Sequence, residues 1–220
     1  LVAFFCSFRG LHGGLHLSIR RQRQMCIRYR NSGGVPANFK NYFVLRFDHD
    51  FSFVGSIEDG KLSEGKTSAT NNHAMAVVGF HTKRGEQVNI QVASSFISDE
   101  QAQRNLKEVE GKTFDEVKSE GRKEWNNILG RIEVEDDNID HLRTFYSCLY
   151  RSVLFPRSFY EFDEQGNPIH YSPYNGKVLS GYLFTDTGFW DTFRSLFPLL
   201  NLAYPSMNEK MQAGLVNAYK

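Results

Sequence analysis

The residues best suited to chemistry lie close together, between Thr185 and Arg194. This ten-residue segment combines carboxylate, guanidinium, hydroxyl and aromatic side chains. Aromatic faces stack on the C–H groups of a sugar ring, while Asp accepts hydrogen bonds from its hydroxyls and Arg donates to them. The segment therefore has the composition of a carbohydrate-binding site.

Asp191 is the strongest candidate for a ligand contact within this segment. On a helix Asp191 and Arg194 are i, i+3 neighbours, so an intrahelical ion pair near the helix start competes with a ligand role. Trp190 is either a core side chain or a sugar platform, and Asp186 is suited to an N-cap or a turn. The residue types alone leave these alternatives open.

The elements that precede this segment begin with strands. Residues 42–47, 51–54, 75–80 and 87–93 have strand patterns, and residues 56–72 are polar and predict a loop. Residues 83–86 separate the last two strands and predict a hairpin, in which Val88, Ile90 and Val92 form a buried face. Antiparallel strands with short turns indicate part of a β-sandwich.

Helical periodicity replaces the strand pattern after residue 98. Capping residues and apolar spacing predict helices over 99–109, 114–129 and 138–154, then an irregular stretch over 157–188 and a helix over 190–202. Ser206 and Glu209 predict a capping box for a last helix, which has no stop signal after Lys220, so we expect truncation within a domain. Cys148 is predicted to be a buried small residue.

The charge of the chain is unevenly distributed. The formal net charge is +1, but residues 1–30 contain six Arg and no Asp or Glu. The apolar part precedes the Arg cluster, which reverses the order of a secretory signal. We predict that residues 1–30 are a non-native or artefactual leader, with a real leader or basic arm and a native strand as the alternatives.

Several classes of function find no support in the composition. No nucleic-acid motif accompanies the Arg cluster, and no apolar run of about 18 residues could span a membrane. His49, His73 and His81 lack metal-ligand spacing, and Cys148 is alone once Cys6 and Cys26 are assigned to the leader.

Five motifs along the chain together resemble glycoside hydrolase family 92, the calcium-dependent exo-acting α-mannosidases. The resemblance covers about residues 31–220, and departures are mild: Phe193 stands where Tyr is common and Phe197 where His is common. It rests on the sequences ANFKNYF at 37–43, SDEQAQRNL at 98–106, WN at 125–126, FYSCLYR at 145–151, and FWDTFR at 189–194 with FPL at 197–199.

The resemblance implies an α+β multidomain fragment. Residues 31–97 would be a partial antiparallel β-sandwich, 98–130 a helical linker, and 131–220 the first helices of a truncated (α/α)6 catalytic barrel. The mechanism would be inverting, with two carboxyl groups on either side of the scissile bond. The family's catalytic acid, catalytic base and calcium ligands would lie beyond Lys220, so the fragment alone would be inactive.

The resemblance also assigns roles within the segment. Asp191 would accept hydrogen bonds from the terminal mannose, Trp190 would form a wall or platform, and Arg194 would orient Asp191. The partner would be a mannose-containing glycan, with α-1,2 linkages expected, and the compartment periplasmic or extracellular. Three alternatives stay open: a non-catalytic carbohydrate-binding β-sandwich module, a different (α/α)6 glycosidase or phosphorylase, and an inert scaffold.

Overall fold

The computed structural model describes residues 2–9, 15–21, 24–30 and 39–219, and in the first three ranges only the side chains of Ile19 and Gln24. Two compact units are present: residues 1–110 with 171–178, and residues 111–170 with 179–220. The strands are β1 Val2–Arg9, β2 Leu15–Arg21, β3 Gln24–Arg30, β4 Lys40–Phe47, β5 Phe53–Glu58, β6 Lys61–Glu64, β7 Ser68–Asn71, β8 His73–Phe80, β9 Ile90–Ser95, β10 Arg157–Ser158, β11 Glu161–Phe162, β12 Pro168–Tyr171, β13 Val178–Ser180 and β14 Phe184–Thr185. The helices are α1 Asp99–Leu106, α2 Phe114–Leu129, α3 Ile139–Ser152, α4 Phe189–Thr192, α5 Leu196–Ala203 and α6 Pro205–Tyr219, with a 3-10 turn at Lys107–Val109.

The first unit contains two antiparallel sheets with a shared apolar core. One sheet has the order β1-β8-β5-β6 and the other β7-β2-β3-β4-β9. Side chains from both sheets meet in the core, and alternate residues of β8 supply much of it. The predicted antiparallel β-sandwich is therefore confirmed. Its buried members are Leu45, Phe47, Ala69, Ala74, Ala76, Val78 and Phe80.

Strand β4 carries apolar side chains on both faces because it is covered on both faces. Leu45 and Phe47 point into the sandwich core, whereas Tyr42 and Val44 pack against Leu106 of α1. Successive side chains of a strand point to opposite sides, so the run from Tyr42 to Phe47 is apolar on both faces except for Arg46, which pairs with Glu110 at 2.6 Å. Helix α1 begins as predicted, since the Ser98 hydroxyl accepts a hydrogen bond from the Gln101 amide at 3.1 Å.

The beginning of the chain takes part in both sheets. Strand β1 pairs with β8, with Val2 opposite Phe80, and β3 pairs with β4, with Gln24 opposite Arg46. The sequence predicted a non-native or artefactual leader for residues 1–30, with a native strand among the alternatives, and these pairings are those of strands. The apolar and polar alternation of residues 15–19 and 25–29 is a strand signal that the Arg content obscured. The side chains of Cys6, Cys26 and the Arg cluster lie outside the described residues.

Two strand predictions are wrong. Residues 56–72 are not a loop, because they include the end of β5 and all of β6 and β7. Strands β8 and β9 do not form a hairpin, since β8 pairs with β1 and β5 in one sheet while β9 pairs with β4 in the other. Val92 is consequently 57% exposed rather than buried, and Ile90 is 38% exposed.

The second unit is built on helices α2, α3, α5 and α6. Their apolar faces meet around Leu149, Leu200, Tyr204 and Met211, and the Tyr204 hydroxyl donates to the Ile128 carbonyl oxygen at 3.0 Å. The predicted helices over 114–129 and 138–154 are confirmed. Their caps explain the agreement, because local hydrogen bonds at residues 113 and 138 fix where each helix begins.

Three local predictions in this unit are wrong. The helix expected over 190–202 is divided into α4 and α5, and α6 begins at Pro205, which leaves Ser206 inside the helix rather than at its cap. Proline is favoured at a first helical position because that position needs no amide donor. Cys148 is exposed rather than buried.

Candidate functional site

The candidate site begins where β14 ends. Asp186 follows the strand with a φ of 65°, in the left-handed region that Asp tolerates better than most residues. The chain then turns into α4, whose N-cap is Gly188. A Cβ added at Gly188 would lie 3.3 Å from the Asp191 Oδ2 atom, so the small residue leaves room for that carboxylate. The turn thus places Trp190 and Asp191 at the second and third positions of a four-residue helix.

Trp190 is 75% exposed, which excludes a core role for it among the described residues. The Arg194 guanidinium lies over its ring, 5.3 Å from the centroid, and 4.7 Å from the centroid of Phe193. The two rings are 6.4 Å apart and tilted by 58°. Such contacts are favourable because the electron-rich ring face attracts the cation. Arg194 and the two rings form a surface on which an apolar ring face and N–H donors adjoin.

Asp191 is exposed, and within residues 39–219 it forms no ion pair. The intrahelical pair with Arg194 that its spacing allowed is not formed, and Arg194 instead contacts the aromatic rings. Arg194 therefore does not orient Asp191 through a direct contact. An exposed carboxylate with unused acceptor positions is suited to accept hydrogen bonds from ligand hydroxyls.

Contacts behind the segment fix where it lies, and sequence reasoning missed them. The Arg157 Nε donates to the Asp186 Oδ2, although the two residues are far apart in the chain. Gly214 of α6 lies against Phe184, the first residue of β14, and Asn217 donates to the Tyr182 carbonyl oxygen at 2.8 Å. No periodicity or motif indicates these pairings, because each depends on how β14 and α6 pack.

Phe197 contacts the same helix through an aromatic ring. Its ring lies 6.3 Å from that of Phe189, with an angle of 22° between the ring planes. Both rings are apolar, so Phe197 contributes a stacking contact to α4.

The described residues offer no set of metal ligands. No group of three or more His, Cys, Asp or Glu side chains in this part of the chain could hold a metal ion. The described residues thus do not themselves supply the calcium site that the resemblance implies for the family. Within the same residues, no helix combines the length and the apolar character that a membrane span requires.

Two family models together match nearly the whole chain. The glycosyl hydrolase family 92 N-terminal domain matches residues 11–95, and the glycosyl hydrolase family 92 catalytic domain matches residues 101–220. The chain belongs to glycoside hydrolase family 92. The first match begins at residue 11, so the resemblance extends further toward the N-terminus than the sequence motifs indicated.

Solved structures of family 92 proteins share this fold. An inverting mannosidase from Bacteroides thetaiotaomicron VPI-5482 is 43% identical, with a TM-score of 0.91, and the match covers 99% of this chain and 30% of that one. An α-mannosidase from Bacteroides thetaiotaomicron is 22% identical, with a TM-score of 0.82 and coverage of 99% and 32%. This second likeness concerns the fold alone.

A curated relative is described as an uncharacterized secreted glycosidase from Arthroderma benhamiae. It is 32% identical over 78 residues, which are 33% of this chain and 10% of that protein. The chain thus spans about a third or less of the length of the relatives it matches. The family match confirms the fold class, an antiparallel sandwich followed by the start of a helical barrel domain, and removes the alternative of an (α/α)6 enzyme from another family.

Proposed function

We propose that this chain is part of an inverting exo-acting α-mannosidase and that Trp190, Asp191 and Arg194 contact the terminal mannose. The observation that carries the proposal is the exposed Trp190–Asp191 pair on α4, in a family 92 chain that is 43% identical to an inverting mannosidase. The indole face would stack on the C–H face of the sugar. The carboxylate would accept hydrogen bonds from two of its hydroxyls.

Arg194 takes a different role from the one first expected. Because its guanidinium lies over the rings of Trp190 and Phe193, it would hold the indole plane and present its remaining N–H groups to sugar oxygens. In this proposal the catalytic acid and base lie outside these 220 residues, the expected linkage is α-1,2, and the compartment is periplasmic or extracellular. The relative described as secreted supports the last point.

The test uses the full-length enzyme that contains this segment. It is assayed on α-1,2-mannobiose, with the released anomer followed by ¹H NMR, and β-mannose is expected as the first product. Asp191→Ala should lower kcat/KM by about 10- to 100-fold, the loss expected for a hydrogen bond to a charged group. Asp140→Ala is the matched control, since Asp140 is an exposed carboxylate in the first turn of α3.

The outcomes separate the proposed function from its rival. If Asp191→Ala acts like Asp140→Ala while hydrolysis is normal, Asp191 is not in the sugar site. A full-length protein that binds mannose but hydrolyses no mannoside would instead favour carbohydrate binding without catalysis. The exposure of Trp190 is the observation that keeps this second candidate open.

A further inference from the structure

We infer that Arg157 is a positioning residue that fixes the Trp190–Asp191 segment through Asp186. Arg157 lies in β10, directly opposite Thr185 of β14, and its Nε donates to the Asp186 Oδ2. Its guanidinium also lies 5.9 Å from the centroid of the Phe155 ring. The side chain therefore contacts both an aromatic ring and a carboxylate.

The Asp186 carboxylate is held through both of its oxygens. Its Oδ1 accepts from the Thr185 hydroxyl at 3.4 Å, while its Oδ2 accepts from Arg157. The backbone of Asp186 is left-handed, a conformation that non-glycine residues rarely adopt without support. These contacts fix the direction in which the chain leaves β14.

The position of helix α4 depends on that direction, because the helix is too short to be stable without its neighbours. It has four residues, and its N-cap Gly188 makes no side-chain capping bond. A helix of one turn is unstable alone, since it forms too few hydrogen bonds to offset the entropy of ordering. Its location is therefore set by the flanking residues, and Asp186 precedes Trp190 by only four positions.

A purely stabilising ion pair is the competing explanation. The side chains of Arg157 and Asp186 are 66% and 36% exposed, and exposed pairs contribute little to folding stability. The two explanations differ in what removal of Arg157 changes. A positioning role predicts a local change around Trp190, whereas a stabilising role predicts a small and general loss of stability.

The test uses the 220-residue chain labelled with 5-fluorotryptophan. The chain has two Trp residues, so ¹⁹F NMR gives one signal for Trp190 and one for Trp125, assigned with Trp190→Phe. Arg157→Ala should shift or broaden the Trp190 signal alone. It should also speed amide exchange at Thr192 and Phe193, which donate to Gly188 and Phe189, by about tenfold.

Two further variants make the inference refutable. Arg143→Ala removes another exposed Arg–Asp pair, with Asp140 at 3.0 Å, and should change neither signal. Asp186→Ala should reproduce the effect of Arg157→Ala, and the double variant should add little, because both changes break one contact. Unchanged signals and exchange in Arg157→Ala, with its helical circular dichroism intact, would overturn the inference.

The relation of this segment to a sugar rests on the proposed function and is tested separately. In the full-length enzyme of the proposed function, titration with D-mannose should shift the Trp190 signal, assigned again with Trp190→Phe, and Arg157→Ala should weaken that response. A local change in Arg157→Ala without any response to mannose supports the positioning role and contradicts the proposed function. A response to mannose that Arg157→Ala leaves unaltered, together with an unchanged Trp190 signal, contradicts the positioning role alone.

Discussion

Gly214 is the residue of α6 whose size can be tested most directly. A Cβ added there would lie 2.8 Å from the Phe184 Cδ2, 3.3 Å from the Phe184 backbone nitrogen and 3.4 Å from the Leu183 Cα. The two backbone atoms belong to the chain that enters β14, and the aromatic ring cannot withdraw as a flexible side chain would. Gly214→Ala should therefore push β14 away from α6.

The expected size of the effect follows from two opposing terms. Forcing an extra methyl group into a packed interface costs about 1–3 kcal/mol. Alanine is favoured over glycine inside a helix by about 1 kcal/mol. The net change in the free energy of unfolding should be a loss of about 0–2 kcal/mol, from the difference of these values.

Gly121 provides the matched control. It lies inside α2, and a Cβ added there meets no atom within 4 Å. Gly121→Ala should therefore give only the helix term, a gain of about 1 kcal/mol. The difference between the two variants isolates the steric cost at Gly214, which we expect to be about 1–3 kcal/mol.

Urea unfolding followed by Trp fluorescence measures this difference. Trp125 and Trp190 both lie in the second compact unit, so the signal reports on the unit that contains both glycines. If Gly214→Ala stabilises the chain as much as Gly121→Ala does, the close packing of α6 on β14 is refuted.

Two further predictions concern a helix cap and a pH-dependent contact. Thr113→Ala should lower the stability of the second unit by about 1 kcal/mol in urea unfolding, because the Thr113 hydroxyl accepts from the Glu116 amide at the start of α2. In the first unit, hydrogen bonds to Asp48 and then to Glu86 raise the pKa of His49. Its contribution should be complete below about pH 6.5 and should fall as the pH rises through the folded-state pKa. His49→Gln should therefore reduce the change in melting temperature between about pH 6 and pH 9, measured by far-UV circular dichroism; an unaltered pH profile would contradict this.

The sequence predicts best those features that local hydrogen bonds determine. Helices α2 and α3 begin where Thr113 and Asn138 can cap them, so their boundaries follow from nearby residues alone. Strand pairing is harder, since β8 and β9 are neighbours in sequence yet belong to different sheets. Alternation shows that a segment is a strand, but it does not identify the partner strand.

The candidate site shows the same limit. The residue types of Trp190, Asp191 and Arg194 indicate carbohydrate binding, and the family resemblance assigns the segment a role. The contacts of Arg194 could not be predicted in the same way. Its spacing favours an ion pair with Asp191, but a contact with the nearby Trp190 ring is an equally local alternative, and the sequence does not choose between them. The support from Arg157 was beyond sequence reasoning, since it depends on a left-handed backbone at Asp186.

The first compact unit is discontinuous in the chain, and this affects the order of folding during synthesis. Residues 171–178 belong to that unit, although residues 111–170 of the other unit precede them. A ribosome therefore completes α2 and α3 before it has made the last part of the sandwich unit. Domains generally fold as they are synthesised. Here the N-terminal unit is incomplete until residues 171–178 have been synthesised, and a protein cut after Glu110 would lack those residues.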